Sequence, residues 1–298
     1  MTDTLAVDTA APAWRLRRLG VVGCGQMGAG VAEIAARAGL DVRVAVSSAS
    51  SRERGLRRIT GSLDRAVAKA KIGAGDRDAA LDRISFTTTL DDLADREAVV
   101  EAVPEHESTK LQVFALLDKI VADPEAILAS NTSSLPIVRL ARAAQNPGRV
   151  VGLHFFNPVP VLPLVEVVGS VLTDERTVNR AEQLATEVLG KTAIRSPDRA
   201  GFLVNALLFP YLLAAVRMVE AGIATPDDVD RGMVAGCSHP MGPLRLLDLI
   251  GLDTTVSIAD ALYAEFKEPL YAPPPLLLRM VDGGLLGRKT GRGFYEYA

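Results

Sequence analysis

Cysteine is scarce in this chain of 298 residues, which holds two, Cys24 and Cys237. Two thiols build no disulfide framework, and such sparing use suits a reducing cytoplasm, the compartment expected here. A charge excess is missing too. The formal net charge of -3 offers no general attraction for nucleic acid or an anionic membrane, so a polyanionic ligand has to be held by a local basic cluster. No uncharged apolar run reaches the length of a membrane span, and the nearest, residues 202–216, is interrupted by Asn205 and Pro210. Metal-ligand spacings such as C-x-x-C or H-x-x-x-H are absent, and His106, His154 and His239 lie far apart, so no metal site is expected. The opening "MTDTLAVDTAAPAWRLRR" lacks the apolar stretch of a signal peptide, and residues 1–15 read as a flexible extension.

What is present is an aliphatic globular composition, 48% apolar and 5% aromatic, long enough for one large domain or two ordinary ones. Short runs rich in β-branched residues recur at 19–23, 41–46, 84–89, 98–103, 126–131 and 149–155. Helical patterns lie between most of them, at 27–38, 52–71 and 108–121. Such alternation predicts βαβ units and a mostly parallel sheet covered by helices on both faces. From Phe202 onward the pattern turns helical, at 202–220, 226–235, 243–264 and 274–284. The expected division is a first domain over 16–198 and a helical one over 199–298.

"VVGCGQMGAG" sets Gly23, Gly25 and Gly28 in G-x-G-x-x-G, behind the first strand and ahead of a helix. In that context the first glycine permits a tight turn and the second lets backbone approach a pyrophosphate. The third lets helix and strand pack closely, while helix N–H groups face the phosphates. Dinucleotide binding is the reading this supports, with Gln26 and Met27 lining the same loop. Glycines kept for packing alone are the competing reading. NAD-binding versions carry an acid at the end of the second strand, where this chain has Val46 followed by "SSASSRER". Valine accepts no ribose hydrogen bond and repels no 2′-phosphate, whereas Ser47, Ser48, Arg52 and Arg54 offer donors. The expected cofactor is NADP or NAD, leaning to NADP, with Ser47 and Arg52 among its contacts. The arginines equally suit exposed positions on the next helix.

His154 and Glu166 stand equidistant from Pro160 in "LHFFNPVPVLPLVEVV". An antiparallel pair joined through "NPVPVLP" makes them cross-strand neighbours, about 4.5–5.5 Å apart at Cβ, unless Pro158, Pro160 and Pro163 shift the register. An opposed imidazole and carboxylate form an acid–base unit: the carboxylate fixes the tautomer and the outer nitrogen exchanges a proton with substrate. A paired structural histidine is the alternative. Beside a dinucleotide site the catalytic reading gains weight, because hydride transfer from an alcohol needs a base for the hydroxyl proton.

Together "GCGQMGAGVAE", "EAVPEHESTK", "ASNTSSLPI", "LHFFNPVPVLPLVEVV", "GFLVNALL", "HPMGPLRLLDLIGLD" and "GRGFYEY" resemble the 3-hydroxyacyl-CoA dehydrogenases, in order, from about Leu16 to the C-terminus. The resemblance implies a Rossmann-type, doubly wound, mostly parallel α/β domain followed by an all-α domain. It implies that His154 is the catalytic base and Glu166 its partner, and that Ser133 and Asn205 hold the substrate's 3-oxygen. It places Glu105, Lys110, Asn157 and Ser133 around the cofactor, and makes Lys69 and Lys71 candidates for the CoA phosphates. Each has an ordinary reading beside it: Ser133 as a helix cap, Asn205 as a helix–helix contact, Glu105 and Lys110 as a solvated pair, the lysines as a solvated helix face. His239 reads as structural. The implied activity is reversible oxidation of a short-chain (S)-3-hydroxyacyl-CoA, such as 3-hydroxybutyryl-CoA, by a homodimer formed through the C-terminal domain. Val46 departs from the family's usual acid. Three alternatives stay open: a carrier-protein-bound hydroxyacyl substrate, a free hydroxy or sugar acid, and a non-catalytic, crystallin-like dinucleotide binder.

Overall fold

A computed structural model describes residues 15–297; residues 1–14, the bulk of the extension expected to be flexible, lie outside the described residues. The contacts divide the chain into two units. The first runs to Asn131 and from Val138 to Arg195; the second combines Thr132–Ile137 with the residues from Ser196 onward.

The β-branched runs become β1 (Arg18–Val22), β2 (Asp41–Ala45), β3 (Ile84–Thr87), β4 (Ala98–Glu101), β5 (Ile127–Ser130) and β6 (Val150–Phe155). These six pair in parallel. Two further strands, β7 (Leu164–Gly169) and β8 (Thr192–Pro197), complete a sheet of order β3-β2-β1-β4-β5-β6-β7-β8, in which β7 runs antiparallel to β6. The eighth strand lies at the stretch read as a domain boundary; its alternation is half-exposed, so its apolar signal is weak. Every residue of β4, β5 and β6 is buried, as a parallel sheet covered on both faces requires.

The connections are helical: α1 (Gln26–Arg37), α2 (Ala49–Ala68), α3 (Ala74–Asp82), α4 (Glu107–Ile120), α5 (Ile137–Ala141) and α6 (Glu175–Gln183). Because β1 pairs with both β2 and β4, the direction of winding reverses there, and the crevice beyond the carboxyl ends of these strands is where a doubly wound sheet takes its ligand.

The second unit holds α7 (Val204–Glu220), α8 (Pro226–Cys237), α9 (Pro243–Ile250), α10 (Leu252–Phe266) and α11 (Pro275–Asp282). They bury Leu212, Leu213, Val216, Leu244, Leu247, Leu252 and Leu277 together. The single helix expected over 243–264 is two, because Gly251 adopts φ +100, which breaks the hydrogen-bond ladder at a residue that tolerates it. Two buried aspartates clamp the "GRGFYEY" tail: Asp248 accepts the Phe294 and Tyr295 amides at 2.9 Å, and Asp230 accepts the Tyr295 hydroxyl at 2.8 Å. The tail motif is therefore a packing element of this unit.

Candidate active site

The three glycines of the loop do three different things. Gly23 has φ +94, and a Cβ there would lie 2.7 Å from the Ala102 carbonyl oxygen. At Gly28 a Cβ would fall 2.1 Å from the Gly23 oxygen, so only glycine lets α1 start this close to the loop. A Cβ on Gly25 would meet nothing within 4 Å. That open side lies at the N-cap of α1, where no side chain caps the helix and no acid occupies the first turn. Uncapped N–H groups with the positive end of the helix dipole behind them form an anion site, and the bare backbone at Gly25 lets a pyrophosphate approach. The cradle fits a dinucleotide.

Gln26 opens α1 and donates through Nε2 to Asn157 Oδ1 at 2.9 Å, tying the loop to the β6–β7 connection. Met27 packs half-buried on the core beneath. Cys24 is buried against α2, and burial pushes its thiol up to about 11, so it is an inert packing group.

Beside the loop, at the carboxyl end of β4, lies a group that the sequence reading missed. Glu101 is fully buried and accepts four hydrogen bonds: from Val103 N at 2.7 Å, from Ser130 Oγ at 2.7 Å, and from Lys110 Nζ at 2.7 and 2.9 Å. Lys110 is 1% exposed and also pairs with the exposed Glu105 at 3.2 Å. This is no solvated pair. A buried ammonium is tolerated because two carboxylates and the Val103 carbonyl surround it. The missed signal was an acid closing the apolar strand "AVVE".

His154 and Glu166 are register partners across β6 and β7, so the prolines leave the pairing unshifted. Nδ1 of His154 lies 2.6 Å from Glu166 Oε2, with the histidine 4% exposed and the glutamate fully buried. A carboxylate on Nδ1 sets the tautomer in which Nε2 is the proton acceptor. Asn131 Oδ1 accepts the Phe155 amide at 3.0 Å and braces the strand next to the histidine. The connecting turn is closed by Lys191, which donates to the Val159 and Leu162 carbonyls at 2.6 and 2.8 Å.

At the end of β2, Val46 is buried and presents no acid. Ser48 caps α2 by accepting the Ser51 amide at 3.2 Å, Ser47 lies 3.5 Å from the Ser51 hydroxyl, and Arg54 donates to that hydroxyl at 2.9 Å. Arg52 is exposed, its guanidinium 6.0 Å over the Phe86 ring. Lys69 and Lys71 follow α2, both exposed, and neither side chain forms an ion pair among the described residues.

The remaining expected groups belong to the second unit. Asn205 is buried at the second position of α7. Ser133 is half-buried in the loop before α5; since that helix starts at Ile137, Ser133 is not its cap. His239 lies with Nδ1 3.2 Å from the Tyr211 hydroxyl, a structural contact as expected. No group of three or more metal-ligating side chains occurs among the described residues.

Comparison with known proteins follows the same division. Residues 18–199 match the family model for the 3-hydroxyacyl-CoA dehydrogenase NAD binding domain, and residues 201–297 match its C-terminal domain. A 3-hydroxybutyryl-CoA dehydrogenase of Mycobacterium tuberculosis is 59% identical over 282 residues, covering 95% of this chain and 99% of the relative. The crystal structure of M. tuberculosis FadB2 superimposes with a TM-score of 0.94 at 59% identity, over 95% of this chain and 99% of that one. The (S)-3-hydroxybutyryl-CoA dehydrogenase of Ralstonia eutropha superimposes with a TM-score of 0.90 at 41% identity, over 95% and 100%.

Proposed function

Since the chain belongs to the 3-hydroxyacyl-CoA dehydrogenase family, we propose that it interconverts short-chain (S)-3-hydroxyacyl-CoA and 3-oxoacyl-CoA, with 3-hydroxybutyryl-CoA as the oxidised substrate. The observation that carries the reading is the buried 2.6 Å contact between His154 and Glu166, on the strands that border the glycine cradle's neighbour Asn157.

In the oxidative direction His154 Nε2 takes the proton of the 3-hydroxyl, and Glu166 holds the imidazolium as it forms. The bound nicotinamide ring supplies the hydride acceptor. In the reductive direction His154 returns the proton to the forming alkoxide. Ser133 and Asn205 hold the 3-oxygen, while Glu105, Lys110 and Asn157 line the nicotinamide half of the cofactor site. Lys69 and Lys71, both exposed, take the CoA phosphates.

NADP(H) is the preferred cofactor in this reading. Val46 removes the acid that would repel a 2′-phosphate, and Ser47, Ser48, Arg52 and Arg54, which follow it, supply the donors this reading assigns to that phosphate. The working form in this reading is a homodimer made through the helical unit, and light scattering should give a particle of twice the chain's 31.6 kDa; a particle of 31.6 kDa would remove the dimer.

The test is acetoacetyl-CoA reduction by the wild type and by His154→Ala, with NADH and NADPH in parallel. Expected are turnover with a faster NADPH rate, and a loss of about 10²–10⁴-fold in the variant with dinucleotide affinity kept. Faster turnover with NADH would reverse the cofactor assignment. Turnover only with carrier-protein thioesters would move the substrate, and near-normal rates in the variant would remove the role of His154.

A further inference from the structure

We propose that Asp198 is a positioning residue for Ser133: its carboxylate fastens the serine-bearing loop to the helical unit, so that Ser133 and Asn205 are carried on one body. The proposal rests on the reading of Ser133 and Asn205 as holders of the 3-oxygen.

The loop 132–137 leaves the end of β5, a strand of the first unit, yet its contacts group it with the second. Its backbone donors show how. Thr132 Oγ1 accepts the Ser134 and Leu135 amides at 3.3 and 2.9 Å, which curls the loop on itself around Ser133. Pro136 has no N–H to offer. The next amide, that of the buried Ile137, donates to Asp198 Oδ1 at 2.6 Å. A buried N–H demands a partner, and this one is met across 61 residues of sequence by a carboxylate of the second unit.

Asp198 is itself held. Glu265 of α10 accepts from Arg199 Nε at 3.2 Å and from the Ala200 amide at 2.8 Å, and the Arg199 guanidinium sits 4.5 Å over the Phe266 ring. Gly201 follows with φ +72, pressed so close that a Cβ would lie 2.8 Å from Leu262 and 3.0 Å from the Ala206 amide. Four residues on comes Asn205. From α10, therefore, one short rigid segment reaches the Ser133 loop through Asp198 and the Asn205 turn of α7 through Gly201. Two groups that must converge on one oxygen atom are thereby fixed in mutual position before substrate arrives, which is how orientation lowers a barrier.

The experiment measures kcat and KM for acetoacetyl-CoA, together with dinucleotide affinity, in Asp198→Ala, Asp198→Ser, Asp198→Asn, Ser133→Ala and the Ser133→Ala/Asp198→Ala double variant. Asp198→Ala and Asp198→Ser should each lower kcat on the order of 10- to 100-fold, with dinucleotide affinity unchanged. Asp198→Asn keeps an oxygen that accepts the Ile137 amide, so it should retain most of the activity. In the Ser133→Ala background, removing Asp198 should cost less than about threefold more, because residues acting through one group are not additive. Impaired Ser133→Ala beside unimpaired Asp198→Ala overturns the proposal alone, and so do losses that multiply in the double variant. Wild-type turnover by Ser133→Ala overturns the reading of Ser133 and takes the proposal with it.

Discussion

Glu33 stands on α1, two helical turns from its start, 1% exposed, with neither carboxylate oxygen closing a hydrogen bond among the described residues. Burial pushes its carboxyl above the ordinary range; Ser62, Arg37 and Arg65 face it and offset only part of that. Lys191, whose ammonium burial pushes down, feels the same charge cluster from the β6–β7 side. A carboxyl raised in the folded state holds its proton more tightly there than in the unfolded chain. Its favourable contribution is complete below the ordinary carboxylate value and is lost as pH rises through the folded value. Replacing it by the neutral isostere, Glu33→Gln, should therefore raise the melting temperature more at pH 8 than at pH 5. The same difference at both values would show an ordinary carboxylate.

At the scale of the element, the β1–α1 turn separates two kinds of glycine. Gly28→Ala forces a methyl into the Gly23 carbonyl at 2.1 Å, backbone against backbone, and should lower thermal stability outright. Gly25→Ala meets open space, so stability should be kept while the methyl obstructs the pyrophosphate. Thermal melts with and without the nicotinamide dinucleotide that stabilises the wild type, NADH or NADPH, distinguish them: the ligand-induced rise should vanish for Gly25→Ala at an unchanged unliganded midpoint. A retained rise would show that the cradle lies elsewhere. The β4–α4 element works differently. There the strand-end Glu101 satisfies Ser130, Val103 and Lys110 together, which locks the loop that carries Glu105.

Across the whole molecule the deepest burial follows the middle of the sheet and the leucine core of the helical unit. Leu19, Val21, Val99, Leu128, Val151 and Leu153 have no exposed surface, and β4 to β6 are buried along their full length. Edge strand β3 is half-exposed and β8 is partly so. Amides of β1, β4, β5 and β6 should therefore exchange with solvent only through global unfolding, and those of β3 and β8 by local opening at lower cost. Hydrogen exchange read by strand checks this; protection at β8 equal to that at β5 would refute it.

Alternation of β-branched runs with helical periods is a local property, so the order of the strands through β6, with α1, α2 and α4 between them, was legible from the sequence. So was the facing of His154 and Glu166, because an antiparallel turn centred between two residues makes them partners by symmetry. Fine boundaries and weak elements were not legible: α3 and β8 lack a strong apolar stripe, α6 is short and mostly polar, and the break at Gly251 depends on a backbone angle that composition does not reveal. The sequence also could not tell that Lys110 is buried on Glu101 and Ser130, or that the Ser133 loop is fastened by Asp198. Those pairings join residues from 9 to 61 positions apart. What the sequence by itself determined is the set of groups and the elements that carry them, since propensity and periodicity act over a few residues. Which buried charge meets which partner was decided only by the tertiary structure, because a buried polar group is stabilised by whichever atoms packing brings within about 3 Å, wherever they lie along the chain.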